Sequence, residues 1–89
     1  MRSVWKFPLK LDEFQVVEMP MFAEILCVQM QQGTPTIWAS VETNNDPEGR
    51  QIAIVGTGHP APPPEQSDYI GTVQMDAYVW HVFAEKEDE

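Results

Sequence analysis

The chain has 89 residues, 43% of them hydrophobic, and fourteen Asp and Glu against five Lys and Arg give a net charge of −9. That length holds one domain with a modest core, and that apolar share argues against wholesale disorder. The charge disfavours unassisted contact with nucleic-acid phosphates, and the longest uncharged run, Ile25 to Val41, is too broken by Gln, Gly and Pro for a membrane span.

In chain order the apolar period is two almost everywhere. Trp5, Phe7, Leu9 and Leu11 alternate with Lys6, Pro8, Lys10 and Asp12, which predicts an edge strand that Pro8 keeps from pairing further. Lys6 and Lys10 also break the first apolar residues before a signal-peptide core forms, and Cys27 is the only cysteine. Both features predict a cytoplasmic protein. Phe14 to Val17 reads as a short second strand closed by Met19-Pro20, and residues 12–18 are the one weak helical candidate. Residues 24–31 put Leu26, Val28 and Met30 on one face and Ile25 and Cys27 on the other. Gln32-Gly33-Thr34-Pro35 reads as a hairpin turn.

The next strand, Thr36 to Glu42, turns Ile37, Ala39 and Val41 to one face and Trp38 and Ser40 to the other. Turn formers then crowd Thr43 to Gly49. Arg50 to Thr57 is a further strand, with Ile52 and Ile54 opposite Ala53 and Val55. Gly58 to Asp68 carries Pro60, Pro62, Pro63 and Pro64, which favour a stiff crossover over helix or ladder pairing. Tyr69 to Met75 and Tyr78 to Ala84 form a last pair, turning at Asp76-Ala77. Six to seven short strands with closely spaced turns predict an all-β, mostly antiparallel fold, a small β-sandwich or partly open barrel. Residues 1–84 are the expected domain, and Glu85 to Glu89 the expected acidic, solvated tail.

No constellation of catalytic residues stands out. Ser3, Ser40 and Ser67 lack a nucleophile elbow, and the carboxylates are too many to single out a pair. Gly56-Thr57-Gly58-His59-Pro60 offers glycines as an anion loop does, but a phosphate loop runs into a helix and this one runs into prolines. Its expected role is a turn with unusual φ angles. Cys27, His59 and His81 lack metal-ligand spacing, so no metal and no cofactor is expected, and His81 is expected buried and hydrogen-bonded beside Trp80. Without a catalytic signature the chain is not expected to be an enzyme. The aromatic residues are the better binding candidates, because a core this small cannot enclose them all. Trp5, Trp38, Tyr69 and Trp80, with Gly58 and His59, are the candidate binding residues.

Several strings carry a resemblance: Trp5-Lys6-Phe7-Pro8-Leu9, Ala23 to Gln29, Thr36-Ile37-Trp38-Ala39, Gly56 to Pro60, Tyr69 to Gln74 and Val79 to Phe83. Over roughly residues 4–84 the sequence resembles a family of small uncharacterised proteins encoded by tailed bacteriophages and prophages. The resemblance implies a setting, the cytoplasm of an infected bacterium, and no site residues. Small acidic phage proteins often bind and block host proteins, including defence nucleases. The leading expectation is therefore a protein-binding module acting on a host or phage partner, such as a component of bacterial immunity. The alternatives are a ligand-binding or sequestering oligomer that uses the Gly56–His59 turn, and a minor virion or assembly component. Edge-type strands at both ends also allow a homodimer or larger assembly.

Overall fold

The computed structural model describes residues 1–87, and these contain seven strands and no helix. They are β1 (Arg2–Pro8), β2 (Phe14–Pro20), β3 (Glu24–Gln31), β4 (Thr34–Glu42), β5 (Pro47–Gly56), β6 (Ser67–Met75) and β7 (Tyr78–Glu85). Two antiparallel sheets result, one ordered β1-β4-β3 and the other β2-β5-β7-β6. The fold is a small, sandwich-like all-β fold without a closed barrel.

Local chemistry fixes most of the turns. Gln32 and Gly33 both take positive φ, 49° and 82°, the requirement of a two-residue hairpin between β3 and β4. Asp76, at φ 54°, starts the tight turn between β6 and β7, where a short polar side chain tolerates the left-handed region. β2 is longer than the short strand read from the sequence. It runs on through Met19 and Pro20 against Glu48 and Pro47, so β5 begins at Pro47 rather than Arg50. The weak helical candidate over residues 12–18 is therefore strand from Phe14 onward.

The core lies between the sheets. Ile37, Ala39 and Val41 of β4 are fully buried: Ile37 packs with Ile52, Ile54, Val73, Val82 and Ala84 of the other sheet, and Ala39 and Val41 pack with Met19 and Ala23. β3 departs from its expected alternation. A bulge between Ile25 and Cys27 changes the phase, so Ile25 packs on the core with Val28 while Leu26 turns out to solvent. β6 carries a similar bulge between Tyr69 and Gly71. At their closest approach, a Cβ on Gly71 would stand 2.9 Å from Val28 Cγ1, which explains the glycine. β3 and β6 thus pack against each other on one side of the sandwich.

The crossover from β5 to β6 spans residues 57–66 without strand or helix, as its prolines demand. β5 and β6 run parallel with β7 between them, so this segment returns across the outer face of the four-stranded sheet. There it shields Ala53 and Val55, which explains why β5 is buried on both faces. Three residues of the expected acidic tail, Glu85 to Glu87, make defined contacts. Glu85 closes β7, the Lys86 N–H donates to the Gln66 carbonyl at 2.8 Å, and Glu87 pairs with Arg50 at 2.7 Å. Residues 88–89 lie outside the described residues.

Candidate functional site

The two sheets differ on their outer faces. On the three-stranded sheet the outward side chains are mostly polar: Lys6 Nζ donates to Gln31 Oε1 at 2.9 Å, and Arg2 donates to Ser40 Oγ at 2.7 Å. On the four-stranded sheet they are mostly apolar. Directly opposed residues of an antiparallel pair share a face, so Phe14 with Ala53 and Tyr69 with Phe83 mark the outer side. Phe14 remains 73% exposed and Val16 65%.

These side chains and the returning proline segment enclose a groove of about 490 Å³. Ala53 and Gln51 form its floor, Phe14 and Val16 one wall, and Pro60 to Pro63 the other. Its only charged lining residues are Glu13 and Glu85. A second hollow of about 520 Å³, lined by Phe22 and Glu48 among others, shares Gln51 and Glu85 with the first. The second hollow also carries Arg50, Lys86 and Glu87, and the two meet at Gln51 and Glu85 as one trough across β5. The wall is shaped by a glycine: a Cβ on Gly49 would stand 2.7 Å from Val16 Cγ1, so Val16 lies across the space left there.

The turn at the far end of β2 is built with care for one exposed aromatic. Phe22 is 74% exposed and holds φ 65°, a conformation that costs a bulky residue energy. The Ala23 N–H donates to the Pro20 carbonyl at 3.1 Å, and Asn45 Nδ2 donates to the Met21 carbonyl at 2.9 Å, which fixes the turn. Nearby, Arg50 donates to the Ala23 carbonyl at 2.9 Å while paired with Glu87. Burial pushes the Glu87 carboxyl above its ordinary value, its hydrogen bond with Glu48 adds to that, and the Arg50 charge opposes both.

The candidate residues read from the sequence do not form one site. Trp5 pairs with buried Ala39 and so faces the core side of β1, although 40% of it meets solvent at the sheet margin. Trp38 sits half-buried on the opposite face of β4, between Lys6 and Cys27. Trp80 faces inward against the core, with Tyr78 stacked on it at 5.7 Å, and its buried Nε1 has no hydrogen-bond partner. Gly58, at φ 87°, and exposed His59 form the expected turn. His59 and Trp80 meet around Gly56 at a recess of about 190 Å³.

Only Tyr69 lies on the apolar outer face, edge-on to Phe83 at 5.7 Å. There it joins a chain of hydrogen bonds. Tyr69 Oη meets Thr72 Oγ1, Thr72 Oγ1 lies 2.9 Å from His81 Nδ1, and His81 Nε2 lies 2.7 Å from Thr57 Oγ1. His81 is thus half-buried and bonded through both ring nitrogens. Among the described residues no three His, Cys, Asp or Glu side chains gather as metal ligands.

Sequence reading missed Phe14, Val16, Glu13 and Glu85. A signal for the first two was present. β2 is apolar on both faces, with Phe14 and Val16 on one and Val17 and Met19 on the other. A single covering sheet hides only one of them.

The sequence model of a family described as Domain of unknown function (DUF7352) matches residues 1–89. The chain belongs to that family. No curated protein and no solved structure matches it. No helix among the described residues is long and apolar enough to cross a membrane.

Proposed function

We propose that this DUF7352 chain is a protein-binding module that seats a basic partner on the outer face of its four-stranded sheet. One observation carries the reading: an apolar groove walled by exposed Phe14 and Val16 whose only charges are the carboxylates Glu13 and Glu85. Covering each of those two apolar side chains on association contributes about 1.5–3 kcal/mol, enough to anchor a complex. The acidic rim and the overall charge of −9 select partners with Lys or Arg around an apolar contact. The resemblance to phage and prophage proteins supports a host protein in the bacterial cytoplasm as that partner, and a blocking role there, as against a defence nuclease.

The ligand-binding alternative has the His59 recess in its favour, yet its volume of about 190 Å³ falls below the roughly 300–1,000 Å³ of ordinary ligand pockets. The protein-binding reading is tested by placing a photo-crosslinking amino acid at Phe14 or, for comparison, at Leu26. Both positions are exposed, but Leu26 lies on β3 of the other sheet. Illumination in the native host cell should yield one discrete adduct from position 14 and none from position 26. Adducts from position 26 alone, or from neither, would remove the reading.

A further inference from the structure

Four strands in this fold are sheet edges: β1, β3, β2 and β6. β3 and β6 pack on each other. β1 carries Arg2, Lys6 and Pro8, devices that discourage further pairing. β2 has none of these along its centre; its one charge is Glu18 and its proline is the last residue.

The register shows what that edge offers. The Ile54 N–H donates to the Glu13 carbonyl at 2.9 Å, and the pairing of Phe14 with Ala53 sets Glu13 opposite Ile54. Hydrogen-bonded pairs alternate with unbonded ones along an antiparallel ladder. Gln15, Val17 and Met19 therefore turn their backbone groups to β5, and Phe14, Val16 and Glu18 turn theirs outward. The side chains of the same three residues lie on the outer face of the sheet. Phe14 and Val16 present apolar surface there, and Glu18 a carboxylate.

We infer that the free edge of β2 receives an extended segment of the partner, added as a fifth strand and carrying apolar side chains alternating with Lys or Arg. This rests on the reading of the outer face as a protein-binding surface and names how that surface is used. The occupant follows from charge. Glu18 and Glu85 stand on this face, Glu13 lines the groove beside Phe14, and no Lys or Arg lines that groove. A second copy of the chain would bring −9 against −9 and set acidic β2 against itself.

A short synthetic peptide of alternating lysine and valine is the probe, followed by amide hydrogen exchange of the full chain. Binding should slow exchange at Phe14, Val16 and Glu18 by at least about tenfold, and added salt should weaken it. A glutamate–valine peptide, or the lysine peptide N-methylated at alternate amides, should bind at least about tenfold more weakly. Val16→Pro removes an outward N–H and no ladder bond, so the protein should fold and lose the peptide. Glu13→Lys combined with Glu18→Lys, which leaves the backbone untouched, should lose it as well.

Protection elsewhere than β2, equal binding of the N-methylated peptide, or no binding at all overturns strand addition. So does a dimer in sedimentation that Val16→Pro dissolves, which would assign the edge to a second copy. If the peptide perturbs Ala53, Ala61 and Phe83 without protecting β2, strand addition fails while the groove remains a protein-binding surface.

Discussion

β1 and β2 are both outermost strands of seven residues, and they solve the problem of an open edge in opposite ways. β1 is guarded: it displays Arg2, Lys6 and Pro8, and its inward Trp5 keeps 40% of its surface in water. β2 is bare and firmly held. Its inward Met19 is 1% exposed, while Phe14 and Val16 stand in solvent beside unpaired backbone groups. A strand that spends two aromatic or branched side chains on solvent, without charge or proline among them, is built to be covered. This difference is the observation on which the proposal of a partner surface on the four-stranded sheet rests.

The largest expected effect tests how firmly β2 is held. Met19→Ala should destabilise the protein by about 2–5 kcal/mol, and Trp5→Ala clearly less. Urea denaturation of both variants checks the order, and a larger loss at Trp5 would break the contrast. Next comes the covered pair of edges. Gly71→Ala forces a methyl against Val28 at 2.9 Å, a crowding worth about 1–3 kcal/mol. Gly58→Ala meets no atom within 4 Å, so only its positive φ is strained, at about 1 kcal/mol. Thermal melts should rank the two glycines in that order.

Phe14→Ser belongs at the small end, within about 0.5 kcal/mol of the parent in stability, while removing partner binding. A large loss of stability would mean that Phe14 serves the core instead. Smallest is a pH effect at the far end of the trough. The folded Glu87 carboxyl lies above its ordinary 4.5, with burial as the main cause. A raised carboxyl stabilises the fold in its protonated form, fully below 4.5, and that contribution is lost as pH rises through the raised value. Relative to Glu87→Gln, the parent should therefore lose stability as pH climbs from 4.5. A parent that gains stability over that range would show that the Arg50 pair outweighs burial.

Much of the fold was legible because it depends on local rules. Alternation located every strand, and Gln32-Gly33 and the prolines after His59 announced their turn and crossover. The two bulges were not legible, since Leu26 and Ile70 look like ordinary alternating residues until a partner strand fixes the register. The site was harder still. Tryptophan count drew attention to Trp5, Trp38 and Trp80, yet Trp80 joins the core and the other two face opposite ways from β1 and β4. Which face of β2 stays open depends on where the second sheet lands, and no local pattern encodes that.

The bare edge of β2 is tested most directly by amide hydrogen exchange of the protein alone, read residue by residue. Exchange along β2 should alternate, fast at Phe14, Val16 and Glu18 and slow at Gln15, Val17 and Met19, while β3 and β6 show the protection of packed strands. Uniform protection along β2 would mean that its edge is already covered, and would contradict the assignment of that edge to a partner.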